Sequence, residues 1–253
     1  ETERVTTGVS YKDMLRNVAA PITIILTVLL MIIIASVQSW SIDFSSTSTF
    51  IVVGVILVMI FVEGRLINKI RLLFPLMVFA MFLTSATELG TNQWINALLE
   101  RSGINPMIIL VVITGLMAVG RFFAGPLIHR LNPAGVLLAS SIISALGLYS
   151  LSIAEGAVFT MGAAIIFAIG VCYFWPTMLG VVAEYVPKSG ALGLSIMGGA
   201  GMVATSLVLP IMGASIDSAG PQMTLRYMSI LPVILIGIFI FLVLYLRNKN
   251  SSN

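Results

Sequence analysis

Residues 158–186 read VFTMGAAIIFAIGVCYFWPTMLGVVAEYV, and besides Cys172 and two tyrosines their only ionisable side chain is Glu184. A water-soluble helix needs a polar face, which this run cannot supply, so it requires a bilayer. Pro176 falls deep inside the run and frees the backbone carbonyl one turn earlier, which is costly facing lipid and tolerable only where protein, polar side chains or water can meet it. Tyr173, Phe174, Trp175 and Thr177 are therefore expected beside an interior cavity or a packed bend. After the polar corner VPKSG comes a glycine ladder, Gly190, Gly193, Gly198, Gly199 and Gly201, whose small residues let helix backbones approach closely. The expectation is a moving pair of helices around a site, although a kinked structural span beside a tightly packed one has the same composition.

Composition extends this reading to the whole chain. With 58% hydrophobic and 9% charged residues and a mean hydropathy of +1.09, the 253 residues belong to an integral membrane protein, and length counts spans rather than domains. A net charge of +3 is too small and too dispersed for nucleic acid. One cysteine, Cys172, and one histidine, His129, allow no disulfide framework and none of the usual zinc sites, although carboxylate sites for hard cations stay open; no metal or cofactor is expected. No enzyme is read either. There is no phosphate-binding G-x-x-x-x-G-K loop and no H-E-x-x-H, and the segment around Ser195 lacks the second glycine of a G-x-S-x-G turn. The chain opens at Glu1 without a basic and apolar leader, and the expectation is a piece of a longer protein.

Hydropathy divides the chain into a polar linker at the membrane surface (1–20), a two-span hairpin (21–37 and 49–62) with a charged corner to residue 71, six spans within 72–246, and a tail (247–253). The six runs are 72–99, 107–128, 134–153, 158–186, 191–215 and 225–246, and the short loops between them make sequence neighbours antiparallel. The first is about 42 Å long as a helix, beyond the roughly 30 Å hydrocarbon core. With Glu1 cytoplasmic, all basic residues except Arg101 and Arg226 fall at inner ends or in inner loops, and this fixes the orientation.

Four segments carry a family resemblance: TELGTNQWI (87–95), GRFFAGPLIHRLNP (120–133), YFWPT (173–177) and AEYVPKSGALG (183–193). Together they resemble the C-terminal half of a major facilitator superfamily transporter, most closely the fucose and glucose/galactose permease type, over residues 72–246. The family's loop signature G-x-x-x-D-R-x-G-R/K-R/K keeps Gly125 and Arg130, but has His129 for its acid, Asn132 for its glycine and Pro133 for a base. The resemblance implies an all-α, polytopic bundle whose C-terminal six-helix domain is preceded by an extra two-helix hairpin, as in the fourteen-span variant. Were residues 21–62 instead helices five and six of the first half, the corner at 63–71 would be too short for the expected linker. It also implies an absent N-terminal half as partner, membrane lipid around the bundle, and a cell membrane location, the inner membrane in a bacterium.

Glu88 is the one carboxylate far from both ends of its span. A charge there is expensive in hydrocarbon, so it is expected to face the bundle interior. Thr84, Glu88, Thr91, Asn92 and Ile95 recur by threes and fours, with Gln93, Trp94 and Asn96 beside them. Amide and hydroxyl groups that both donate and accept, with Trp94, Tyr173 or Trp175 to stack on a ring, suit a polyhydroxylated small molecule. The candidate substrate-binding residues are thus Glu88, Asn92, Gln93, Trp94, Asn96, Tyr173, Trp175 and Thr177. Glu88 has two further readings, a proton carrier and a carboxylate that fixes packing. Arg121, Arg130 and Glu184 sit near inner helix ends, where an ion pair between Glu184 and an arginine would form an inner gate, while solvated and snorkelling charges are the plain alternative. The function expected is part of a proton-coupled sugar transporter working by alternating access. Drug or organic-anion transport, and a non-transporting scaffold or accessory subunit, are the other readings.

Overall fold

A computed structural model describes residues 13–14, 18, 73–99, 103–124 and 132–251. The expected hairpin at 21–62, the corner at 63–71 and all but three residues of the linker lie outside the described residues. Every regular element among the described residues is helical: α1 (Leu73–Ser85), a π-helical turn (Ala86–Gly90), α2 (Thr91–Gln93), α3 (Ile95–Leu99), α4 (Pro106–Phe122), α5 (Pro133–Ile153), α6 (Gly156–Val171), α7 (Phe174–Tyr185), a 3-10 turn (Pro187–Ser189), α8 (Gly190–Ala219), α9 (Pro221–Met228) and α10 (Ile230–Ser251). Taken with the turns that continue them, five stretches are long and apolar enough to cross a membrane: Leu73–Gln93, Pro133–Ile153, Gly156–Tyr185, Pro187–Ala219 and Pro221–Arg247. The described residues are all-helical and compatible with a multi-pass membrane protein.

Helix starts follow local chemistry. Asn105 and Asn132 each accept the N–H two residues on, from Met107 and Ala134 at 3.0 Å, and each precedes a proline at the first helical position. A side-chain oxygen satisfies a donor that the helix leaves free, and proline there loses nothing. Asn132 takes φ +61°, a left-handed conformation that asparagine tolerates better than bulkier residues.

The chain forms two compact units, one of residues 1–79 with 182–203, the other of 80–181 with 204–253. In the first, the corner ahead of α8 closes with Ser189 Oγ donating to the Val186 carbonyl at 2.7 Å and Gly190 at φ +52°. A Cβ on Gly190 would also come within 3.0 Å of the Met14 side chain.

The second unit is centred on α5, which packs most extensively on α6 and also on α9 and α10, while α6 packs on α4. The α5–α6 crossing brings backbones together. A Cβ on Gly147 would collide with the Phe167 backbone, and one on Gly170 with the Ser144 backbone. Buried Ser140, Ser141, Ser144, Ala163 and Ala164 line the same crossing pair; small side chains permit this distance. The hydroxyls of Ser141 and Ser144 donate to carbonyls three residues back within α5, so the close approach strands no polar group.

Candidate functional site

The site lies within the second unit and begins with an irregular helix. After α1 the chain forms one π-helical turn, Ala86–Gly90, with Glu88 in its middle. Upstream, Thr84 donates to the Met81 carbonyl at 3.0 Å and Thr87 to the Leu83 carbonyl at 2.8 Å. Such back-bonding competes with the helix ladder, and Gly90 ends the turn where Val208 and Met212 of α8 press close, at 3.0 and 3.1 Å from a Cβ built there. Single π turns recur where a helix presents a functional side chain. Here that side chain is Glu88, 3% exposed.

Arg121, the penultimate residue of α4, meets it: Nη2 donates to Glu88 Oε1 at 3.1 Å. Sequence position alone puts Arg121 at an inner helix end, but a helical side chain leans toward its own N-terminus, and the long guanidinium reaches back. Along the helix, Glu88 lies about 16 Å from the Leu99 end, the middle of a core of about 30 Å, whereas Arg121 lies one residue from the end of α4 and reaches Glu88 through the length of its side chain. The acid that Arg121 pairs with is Glu88, whereas Glu184 is exposed near the end of α7. Arg130 and His129 lie outside the described residues.

Arg121 makes a second bond, from Nε to the Cys172 carbonyl at 3.0 Å. This carbonyl stands four residues before Pro176, which has no N–H to give it; Thr177 N–H goes to Tyr173 instead, at 3.2 Å. The polar partner that a proline in this run requires is the arginine of another helix. The neighbouring contact is tight: a Cβ on Gly120 would fall 2.6 Å from Cys172 Sγ, and the thiol donates to the Met117 carbonyl at 3.4 Å.

Among the described residues, six buried side-chain polar atoms lack a hydrogen-bond partner: Ser85 Oγ, Glu88 Oε2, Thr91 Oγ1, Asn92 Oδ1, Trp175 Nε1 and Thr177 Oγ1. All six lie on the two stretches that Arg121 joins, the π-turn region and the bend around Pro176. Each unmet group costs about 1–3 kcal/mol in a dry interior, so their concentration in one region points to something polar that meets them. Two are acceptors, one is a donor and three are hydroxyls that do either. The Glu88–Arg121 ion pair among them is neutral in sum.

The remaining sequence candidates fall elsewhere. Trp94 interrupts the helix at φ −96°, ψ 10°, donates its indole N–H to the Leu209 carbonyl at 3.1 Å and packs its ring against Gly213. Its polar group is already committed to a helix crossing. Gln93 and Asn96 are exposed, and Tyr173 is half-buried. Ser85 joins the set without a signal in the sequence beyond its place one turn before Glu88. The Cys172 carbonyl, by contrast, is found by counting four back from Pro176.

Away from this region, a hollow of about 270 Å³ lies where α3, the α5–α6 turn and the α8–α9 turn meet, lined by Leu98, Leu151, Glu155, Thr160 and Gln222 among others. Its only charged lining residue, Glu155, is exposed. Comparison of the chain with protein-family models, with curated proteins and with solved structures returns no match.

Proposed function

We propose that the chain is the C-terminal portion of a secondary transporter of the major facilitator type, moving a small neutral polar solute, a sugar or similar polyol, by alternating access. The observation that carries this reading is the group of six unpartnered buried polar atoms around a charge-neutral Glu88–Arg121 pair. A polyol offers several hydroxyls that each donate and accept, which matches two acceptors, one donor and three hydroxyls. A scaffold would gain stability by replacing such atoms with apolar ones, because a filled core tolerates few unmet polar groups. An organic anion is disfavoured by the pairing itself: the guanidinium that would attract it is already neutralised by a carboxylate. Glu88, Asn92, Trp175 and Thr177 are assigned to solute contact, with Glu88 also the candidate proton carrier, and the N-terminal half supplies the opposite wall in a rocking mechanism about a midplane site.

The test is uptake of a labelled monosaccharide panel by cells expressing the full-length protein, with and without a protonophore. One sugar is expected to accumulate, to collapse with protonophore, and to lose about 10–100-fold in transport efficiency with Glu88→Gln, the scale of a lost hydrogen bond to a charged group. Protein present in the membrane with no uptake of any sugar would overturn the sugar assignment.

A further inference from the structure

Arg121 is bonded at once to two different irregularities in two different stretches of chain. One is the carboxylate in the π turn, the other a carbonyl that is free only because residue 176 is proline. A guanidinium is suited to this because its donors are fixed in a planar fork. The two bonds differ in strength. The one to Glu88 joins opposite charges, and charge-assisted bonds are about twice as strong as neutral ones; the one to Cys172 meets a neutral carbonyl. The Arg121 side chain is 39% exposed, so water competes for it, and the carboxylate is what holds it in place.

We propose that Arg121 ties the bend at Pro176 to the state of Glu88, so that a group taking over the carboxylate loosens the packing of α4 against the α6–α7 bend. With Glu88 engaged elsewhere, the guanidinium loses its anchor and the Cys172 carbonyl loses its donor. The two stretches that touch at Gly120 and Cys172 then separate. That a solute is the engaging group rests on the function proposed above; the coupling itself does not. The molecule carries its own reporter. Cys172 is 2% exposed and enclosed at this contact, so the rate at which its thiol is alkylated reads the separation directly.

The experiment is a double-mutant cycle in membranes holding the full-length protein, with wild type, Arg121→Gln, Pro176→Ala and the double variant treated with N-ethylmaleimide. Modification is followed by the mass of the Cys172 peptide. Pro176→Ala restores an N–H that can take the Cys172 carbonyl within the helix, so Arg121 is no longer needed there. Arg121→Gln is expected to speed alkylation about tenfold with proline in place and less than about twofold in the Pro176→Ala background, a coupling within the range for residues sharing one network. Any direct effect of the lost charge on the thiol is common to both backgrounds and cancels. Equal acceleration in the two backgrounds would overturn the proposal.

Should Arg121→Gln fail to reach the membrane because it strands Glu88, the cycle is run from Glu88→Gln/Arg121→Gln, which leaves no unpaired charge. Arg121→Lys adds a separate readout. Its ammonium keeps the ion pair but offers its donors from one nitrogen on a shorter stem rather than from a planar fork, so alkylation should be faster than with arginine and slower than with the Gln variant; alkylation as fast in the arginine protein as in the Gln variant would sink the bridge. A coupled cycle in a protein that takes up no solute would refute the transport reading and leave this one standing. An additive cycle with intact uptake would do the reverse.

Discussion

Trp94 and Trp175 look equivalent in the sequence, each an aromatic beside polar residues in an apolar run. What separates them is the fate of one N–H. Trp94 spends it on the Leu209 carbonyl, whereas that of Trp175 is buried without a partner. The difference depends on a residue 115 positions away, which no local pattern reveals. Trp94→Phe should therefore lower stability by about 1 kcal/mol, the net worth of a typical hydrogen bond, and leave the apparent solute affinity alone. Trp175→Phe should leave the melting temperature unchanged or slightly raised, since a buried unmet donor disappears, and should weaken apparent affinity about tenfold. Melting of the detergent-extracted protein, set beside uptake by the same variants, checks both. The opposite pattern would exchange their roles. Glu88, in contrast, was legible from sequence: one acid in the middle of a span has few places to go.

At the scale of elements, small residues predict close helix contact but not where it occurs. The glycine ladder after VPKSG is the obvious candidate, yet Gly198 and Gly199 have open space beside them. The backbone-to-backbone approach falls instead at Gly147 and Gly170, spaced far apart in sequence and facing each other's helix. Gly170→Val should cost about 1–3 kcal/mol by overpacking, because the Ser144 backbone cannot yield as a flexible side chain would. Gly162→Ala on the same helix, with nothing within 4 Å of the added carbon, should gain about 0.5–1 kcal/mol from helix propensity. Thermal unfolding of the two variants distinguishes them, and equal effects would mean that the crossing tolerates separation. Helix starts were easier to read. The Asn-Pro pairs at 105–106 and 132–133 mark them within the sequence itself, because capping is a local interaction.

At the scale of the whole molecule, five of the six apolar runs between residues 72 and 246 reappear as helical stretches long enough to cross a membrane, and the run at 107–128 is helical over Pro106–Phe122 with its last residues outside the described ones; apolar composition is exposed by any window of the chain. Arg121 does stand at the end of its helix, and what hydropathy could not supply is its partner, Glu88 rather than Glu184. The π turn was not legible at all, because its hydroxyl back-bonds and its α8 neighbours matter more than the pattern of apolar residues. That turn has one more consequence. A deleted residue in a regular span rotates everything beyond it by about 100° and misaligns each later contact. The turn at Ala86–Gly90 already holds one residue more than an α-helical path requires, so removing Leu89 brings the flanking helix back into phase. The expected product inserts and melts like the parent but has lost the placement of Glu88 against Arg121, and with it uptake. A deletion that instead prevents insertion would show that the extra residue is needed for folding and not only for function.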